Sequence, residues 1–155
     1  MTLEHQDDEY AIVPGATWCS DIAPGRFVRS PVTGSRFDGD SVVAGAMLLS
    51  PSVNGRDAAA IIEALEAGAA ACARRLEPGT TRQSIEPLVG LHDGAVGWHT
   101  TRQYEGWGEI AAIPLDVDRV LVVGVESSSD DAPIDVRDLL ALALEGAEQF
   151  PMIDE

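Results

Sequence analysis

Hydrophobic positions along this chain change their spacing in a way that lays out the elements in order. Ser41-Val42-Val43-Ala44-Gly45-Ala46-Met47-Leu48-Leu49 is a nearly unbroken apolar run ended by Pro51, the pattern of a buried strand. Beyond it, Ile61, Leu65, Ala69, Cys72 and Leu76 recur every three or four residues and form one helical face, predicting a helix over about 56–76. Ser52 or Asn54 is placed to cap this helix, and Asp57 puts a negative charge in its first turn. Arg74 and Arg75 fill its last turn, and Pro78-Gly79 stops it. Gly68, in its middle, costs about 1 kcal/mol relative to alanine and is read as a point of close packing on the sheet.

The second half of the chain reads as strands. Thr80 to Val89 is a strand interrupted by Pro87, and a three-strand meander follows. Its members are Gly97 to Tyr104, Glu109 to Leu115 and Arg119 to Val125, with turns at Glu105-Gly106 and Asp116-Val117-Asp118. The last of the three is the most apolar and is placed centrally. Val136, Leu139, Leu140, Ala143, Ala147 and Phe150 then line the inner face of a final helix, over about 135–149, capped by Asp135. Before residue 41 the signals are short: Ala11-Ile12-Val13 as a strand ended by Pro14-Gly15, and Arg26-Phe27-Val28-Arg29 as an edge strand among loops. The expected fold class is α+β, a single domain with a twisted antiparallel sheet of about five or six strands and both helices on one face. Residues 1–10 are read as a flexible acidic tail, 11–150 as the domain and 151–155 as a second tail.

Charge narrows the chemistry. The chain has ten arginines, no lysine and 26 acidic residues, for a net charge of -16 and a pI near 4.3. The absence of lysine removes phosphate-loop, Schiff-base and lysine-base chemistry, and the negative field opposes nucleic acid and anionic membranes. Three readings of the acidity compete: a high-GC genome, a salt-loving host, or a basic protein partner drawn in by the field. No window reaches the ~18 apolar residues of a membrane span, so membrane insertion is not expected. The first residues lack the basic start and apolar run of a signal peptide. Read as written, the chain is cytoplasmic; a removed leader would make it secreted or part of the cell envelope.

Candidate chemistry is sparse. His92 and His99 lie seven residues apart with Asp93 beside the first, fewer groups than the three or four convergent ligands zinc takes. Cys19 and Cys72 share no metal-type spacing and are either two buried thiols or a disulfide, the latter implying an oxidising compartment. Cys19 beside Ser20 and Asp21 is also a candidate nucleophile, in surroundings whose acidity works against a thiolate. Gly106-Trp107-Gly108-Glu109-Ile110-Ala111 fits a dinucleotide fingerprint in letters, but it falls between antiparallel strands and reads as a hairpin turn. Asp38-Gly39-Asp40, Asp116 with Asp118, and Asp130-Asp131 are acidic pairs of the kind found in solvated turns. No cofactor or metal is called for.

Aromatic residues are few and concentrate in the first hairpin of the meander. Trp98 and Tyr104 are six apart, hence on one face of a regular strand, and Trp107 follows. Facing the helices they are core; facing outward they make an interface with Arg102, His99 and Glu109 beside them.

The helix ending Ala71-Cys72-Ala73-Arg74, the segment Glu105-Gly106-Trp107, the strand Arg119 to Val125 and the helix Val136 to Phe150 together resemble the PsbP-like fold. They are also similar to the extracellular sensor domains of certain actinobacterial serine/threonine kinases and related lipoproteins, over about residues 41–150. The resemblance implies a non-enzymatic role as a ligand-binding or accessory domain. The absence of any catalytic cluster and the Trp/Tyr hairpin lead to the expectation of a non-catalytic binding or accessory domain that engages a protein partner or small ligand through the sheet face or meander, with Trp98, His99, Arg102, Tyr104 and Trp107 as candidate contacts. The alternatives are an acidic cytoplasmic protein that masks a basic partner, as an immunity protein or secretion chaperone does, and a small enzyme using Cys19 or His92 and His99.

Overall fold

Strands dominate the computed structural model, which describes residues 4–8, 14–22, 32–38, 42–49, 57–76, 82–103, 106–128 and 135–147. Seven of them make one antiparallel sheet: β1 (Glu4–Asp8), β2 (Val32–Asp38), β3 (Val42–Leu49), β4 (Gln83–Pro87), β5 (Val96–Arg102), β6 (Gly106–Asp116) and β7 (Arg119–Ser127). The spatial order is β1-β2-β3-β7-β6-β5-β4. Two meanders, β1 to β3 and β4 to β7, are thus joined along β3 and β7, with Ala44 opposite Val125 and Leu49 opposite Val120. Helix α1 (Ala58–Arg74) connects the meanders, and α2 (Val136–Gly146) follows β7.

The α+β class, the antiparallel sheet and the two principal helices agree with the sequence pattern, and β7 is central as expected. The expectation that both helices share one face is corrected. Val120 and Val122 of β7, Ile110 and Ala112 of β6, and Met47 and Leu49 of β3 pack with Ile61, Leu65, Ala69 and Cys72 of α1. The intervening residues Leu121, Val123, Val125, Ala111, Ile113, Ala44, Ala46 and Leu48 pack with Val136, Leu139, Leu140 and Ala143 of α2. Successive strand residues point to opposite faces, so the helices cover opposite sides and the molecule has three layers. The physical reason lies in β3, β6 and β7 themselves: their apolar runs are continuous rather than alternating, the mark of strands buried on both faces.

Other expectations shift in detail. Among the described residues the sheet has seven strands, β1 and β2 extending it at one edge. Residues 4–8, read from their polarity as tail, form β1, with Glu4 opposite Arg36 and Asp8 opposite Val32. The strand is recognised by its backbone pairing with β2, since its sequence carries no apolar signal. Ala11 to Val13, Arg26 to Arg29 and the last residues, 148–155, lie outside the described residues. The α1 cap is Asp57 itself, whose carboxylate accepts from the Ala60 amide at 2.8 Å, rather than Ser52 or Asn54. Asp135 caps α2 as expected, accepting from the Arg137 amide at 2.8 Å.

Residues 14–22 form a strap across the α1 side of the sheet, ending in a short 3-10 turn at Ser20–Ile22. Ala16, Cys19 and Ile22 are buried in the α1-side core. Cys19 and Cys72 are joined in a disulfide, so neither is a free thiol, and the strap is bonded covalently to α1. The Asp21 and Arg75 side chains pair beside this link. Gly68 does allow a close approach, but of the strap and not of the sheet: a Cβ there would lie 2.2 Å from the Asp21 carbonyl oxygen. At the other end of the strap Gly15 has φ +117, and a Cβ on it would meet the Glu109 carbonyl oxygen at 2.3 Å.

Candidate binding surface

Strand alternation sorts the predicted contacts into two groups. On β5, Trp98 and Thr100 face α1, whereas His99 and Thr101 face the α2 side. Trp98 is 9% exposed and belongs to the α1-side core, so it is a packing residue and not an outward contact. Arg102 is exposed at the end of β5 and alternates with Trp98, away from the face of His99. Tyr104 lies outside the described residues. Trp107, on β6, faces the α2 side and packs partly against its core.

His99 and Trp107 come together with Glu109, a residue that entered the sequence reading only as a neighbour. The imidazole and indole rings stack with centroids 5.8 Å apart and planes 17° from parallel. His99 Nδ1 lies 2.9 Å from Glu109 Oε2, a residue directly opposite it across the β5–β6 pair. An ionised carboxylate only accepts, so Nδ1–H donates, and Nε2 is the acceptor of the neutral ring and a second donor of the protonated one. No hydrogen bond from a described residue reaches Nε2. The His99 side chain is 34% exposed and that of Glu109 only 14%. A ring held on one face by indole and at one nitrogen by a sheltered carboxylate presents its other nitrogen in a defined direction.

The surroundings are polar. Glu86 of β4 lies opposite His99 on the side away from Glu109 and is exposed. In the next row Ser84 of β4 pairs with Thr101, their hydroxyls 2.5 Å apart, and Thr101 lies opposite Trp107. Helix α2 packs chiefly on β7 and on part of β6, which leaves this corner of the sheet beyond its reach. Below it, Leu88, Leu91 and Ala95 fold the β4–β5 connection onto the α2-side core. Arg137 of α2 anchors that connection, its Nε donating to the Val89 carbonyl at 2.8 Å. Among the described residues, the patch left uncovered by α2 is exposed Glu86 with partly buried Ser84, His99 and Thr101, and with Trp107 and Glu109 as its inner wall. Ser84, Glu86 and Thr101 were missed in the sequence because cross-strand register, not spacing along the chain, brings them beside His99.

The opposite face at the same strands is closed. Glu126 Oε1 accepts from the amides of Gly15 at 2.9 Å and Thr17 at 3.2 Å, fastening the strap. Buried Thr100 donates to the Gly15 carbonyl at 3.1 Å and accepts from the Thr17 hydroxyl at 2.7 Å. Thr17 has φ 42, a left-handed conformation that costs a non-glycine residue about 1–2 kcal/mol. These hydrogen bonds and the disulfide hold it there.

The remaining candidates separate. His92 is exposed in the β4–β5 connection, and its backbone carbonyl accepts from Ala95, whereas the His99 ring bonds Glu109. Among the described residues no three His, Cys, Asp or Glu side chains converge as metal ligands. Asp116 accepts from Arg119 Nε at 2.7 Å and from the Asp118 amide at 2.8 Å, closing the β6–β7 turn. The Arg119 hydrogen bond, then that of Asp118, holds the Asp116 carboxyl below its ordinary value of 3.8. The Gly106 to Ala111 segment is not a turn but the first part of β6, which rules out the strand–turn–helix geometry of a dinucleotide site. No described helix is long and apolar enough to cross a membrane.

No family model, curated protein or solved structure matches the chain.

Proposed function

We propose that this is a non-catalytic binding domain that engages a protein partner through the open patch on the α2 side of β4, β5 and β6. The observation that carries the reading is the fixed imidazole of His99, stacked on Trp107 and tied through Nδ1 to Glu109, in a side chain that is still 34% exposed. Fixing a polar group before contact lowers the entropy cost of binding. The resemblance to non-enzymatic sensor and accessory domains supports the same role. The disulfide supports work in an oxidising compartment, since such bonds are rare where thiols are kept reduced. It also commits Cys19 to a structural task, which leaves an enzymatic reading with histidines alone.

Native mass spectrometry of the chain isolated from its own host tests this. The expected result is a stoichiometric protein partner on the wild type that is lost from His99→Ala, while circular dichroism shows that variant still folded. Retention of the partner by His99→Ala removes the patch from the reading.

A second reading, an acidic masking protein for a basic partner, is favoured by the net charge of -16. Its complex would dissociate steeply with added salt whichever patch residue is changed.

A further inference from the structure

We propose that the outer edge of β4 receives an extended segment of the partner, with alternating apolar and basic residues, as an added strand. The proposal rests on the binding-domain reading and names the partner's chemistry. Its first support is the direction of the backbone. The Gln103 amide donates to the Arg82 carbonyl at 2.6 Å, and the Leu88 amide donates to the Gly97 carbonyl at 2.9 Å. In an antiparallel ladder a residue's N–H and C=O point the same way and alternate along the strand. Residues 82, 84, 86 and 88 therefore turn toward β5, while Gln83, Ile85 and Pro87 turn outward. Pro87 agrees with this assignment, because a proline fits an edge strand where its missing N–H faces away from the ladder. Gln83 and Ile85 each present a donor and an acceptor, and Pro87 presents a carbonyl. β4 ends the sheet, and among the described residues no strand pairs with this edge.

The two faces of β4 specify what would lie beside it. The Ile85 side chain is on the α1 side, packed against that core, so an apolar residue opposite it extends an apolar layer. Glu86 is on the α2 side, exposed and in line with His99 and Glu109. An arginine or lysine opposite Glu86 makes an opposite-charge cross-strand pair. Because adjacent residues point to opposite faces, these two requirements together read as alternation of apolar and basic residues. A second copy of this chain is disfavoured as the occupant, since each copy carries a charge of -16, whereas a basic segment is attracted over the same distance. Strand addition of this kind takes affinity from main-chain hydrogen bonds and specificity from side chains at alternate positions.

The test uses the full chain and an acetylated octapeptide alternating valine and arginine as the probe. Calorimetry measures binding, and amide hydrogen exchange locates it. Saturating peptide is expected to protect the amides of Gln83 and Ile85, which pair with no strand among the described residues. Gln83→Pro removes an outward donor without touching the β5 ladder and is expected to weaken binding roughly three- to tenfold, the worth of one net hydrogen bond. Glu86→Gln is expected to weaken it to a similar extent, and a valine–glutamate octapeptide is expected not to bind. Absence of binding by the arginine peptide overturns the proposal, as does binding without protection at Gln83 and Ile85. Equal affinity for wild type and Gln83→Pro also overturns it, since the contact is then charge alone. If Gln83→Pro melts early, exchange on the wild type decides by itself. Loss of the native partner from His99→Ala in the face of a failed peptide test leaves the patch standing and rejects only the added strand.

Discussion

Trp98 and Trp107 are nine residues apart and do different work because of one alternation. Trp98 stands opposite Ile110 and is 9% exposed in the α1-side core, whereas Trp107 stands opposite Thr101 at the rim of the α2 side. Trp98→Ala is therefore expected to cost about 3–5 kcal/mol, the usual penalty for emptying a core of a large aromatic ring. Urea unfolding monitored by circular dichroism measures this, and a loss under 1 kcal/mol would contradict the core placement. The candidate contacts were legible as residue types: a strand rich in Trp, His and Arg stands out in a chain with only 5% aromatics. Which of them turn outward was not legible, since a period of two fixes only which residues share a face. The packing of α1 chose the face of Trp98, and with it the side left to His99.

The strap at residues 14–22 is an element that the sequence pattern barely signals. It has no period, yet it fills the space between α1 and β6 with Ala16, Cys19 and Ile22. Gly15 and Gly108 let its backbone rest on the sheet, a Cβ on Gly108 lying only 2.5 Å from the Gly15 carbonyl oxygen. The disulfide at its far end closes a sequence separation of 53 residues. In the chain-entropy model a loop of that size contributes about 4 kcal/mol by restricting the unfolded chain. Replacing both cysteines by serine is expected to lower stability by about that amount in chemical denaturation. Fold is expected to persist, because Glu126, Thr100 and Trp18 still hold the strap through hydrogen bonds. Complete unfolding of the double variant would show that those bonds are insufficient alone.

At the scale of the molecule, 26 acidic residues face ten arginines across a small surface. The ion pairs Arg75–Asp21, Arg119–Asp116 and Arg137–Asp135 join partly exposed groups and contribute little each. Repulsion among the excess carboxylates dominates, and added salt screens it. The melting temperature is therefore expected to rise between low and moderate sodium chloride. A differential scanning calorimetry series that shows a fall would mean that attractive pairs outweigh the repulsion. The same screening weakens capture of a basic strand at β4, so salt is expected to move stability and peptide affinity in opposite directions.

Local pattern was enough to determine the two main helices seen among the described residues, the buried strands β3 and β7, the Asp135 cap and the net negative charge. Those properties depend on residues near one another along the chain. The unbroken apolar runs of β3, β6 and β7 also held the evidence for a sheet covered on both faces. Tertiary structure alone decided that Cys19 meets Cys72, that His99 lies between Glu86 and Glu109, and that Gln83 and Ile85 turn their backbone outward. Each depends on strand register or on a strap crossing the sheet, contacts between residues distant in sequence whose alignment is set only when the whole core packs.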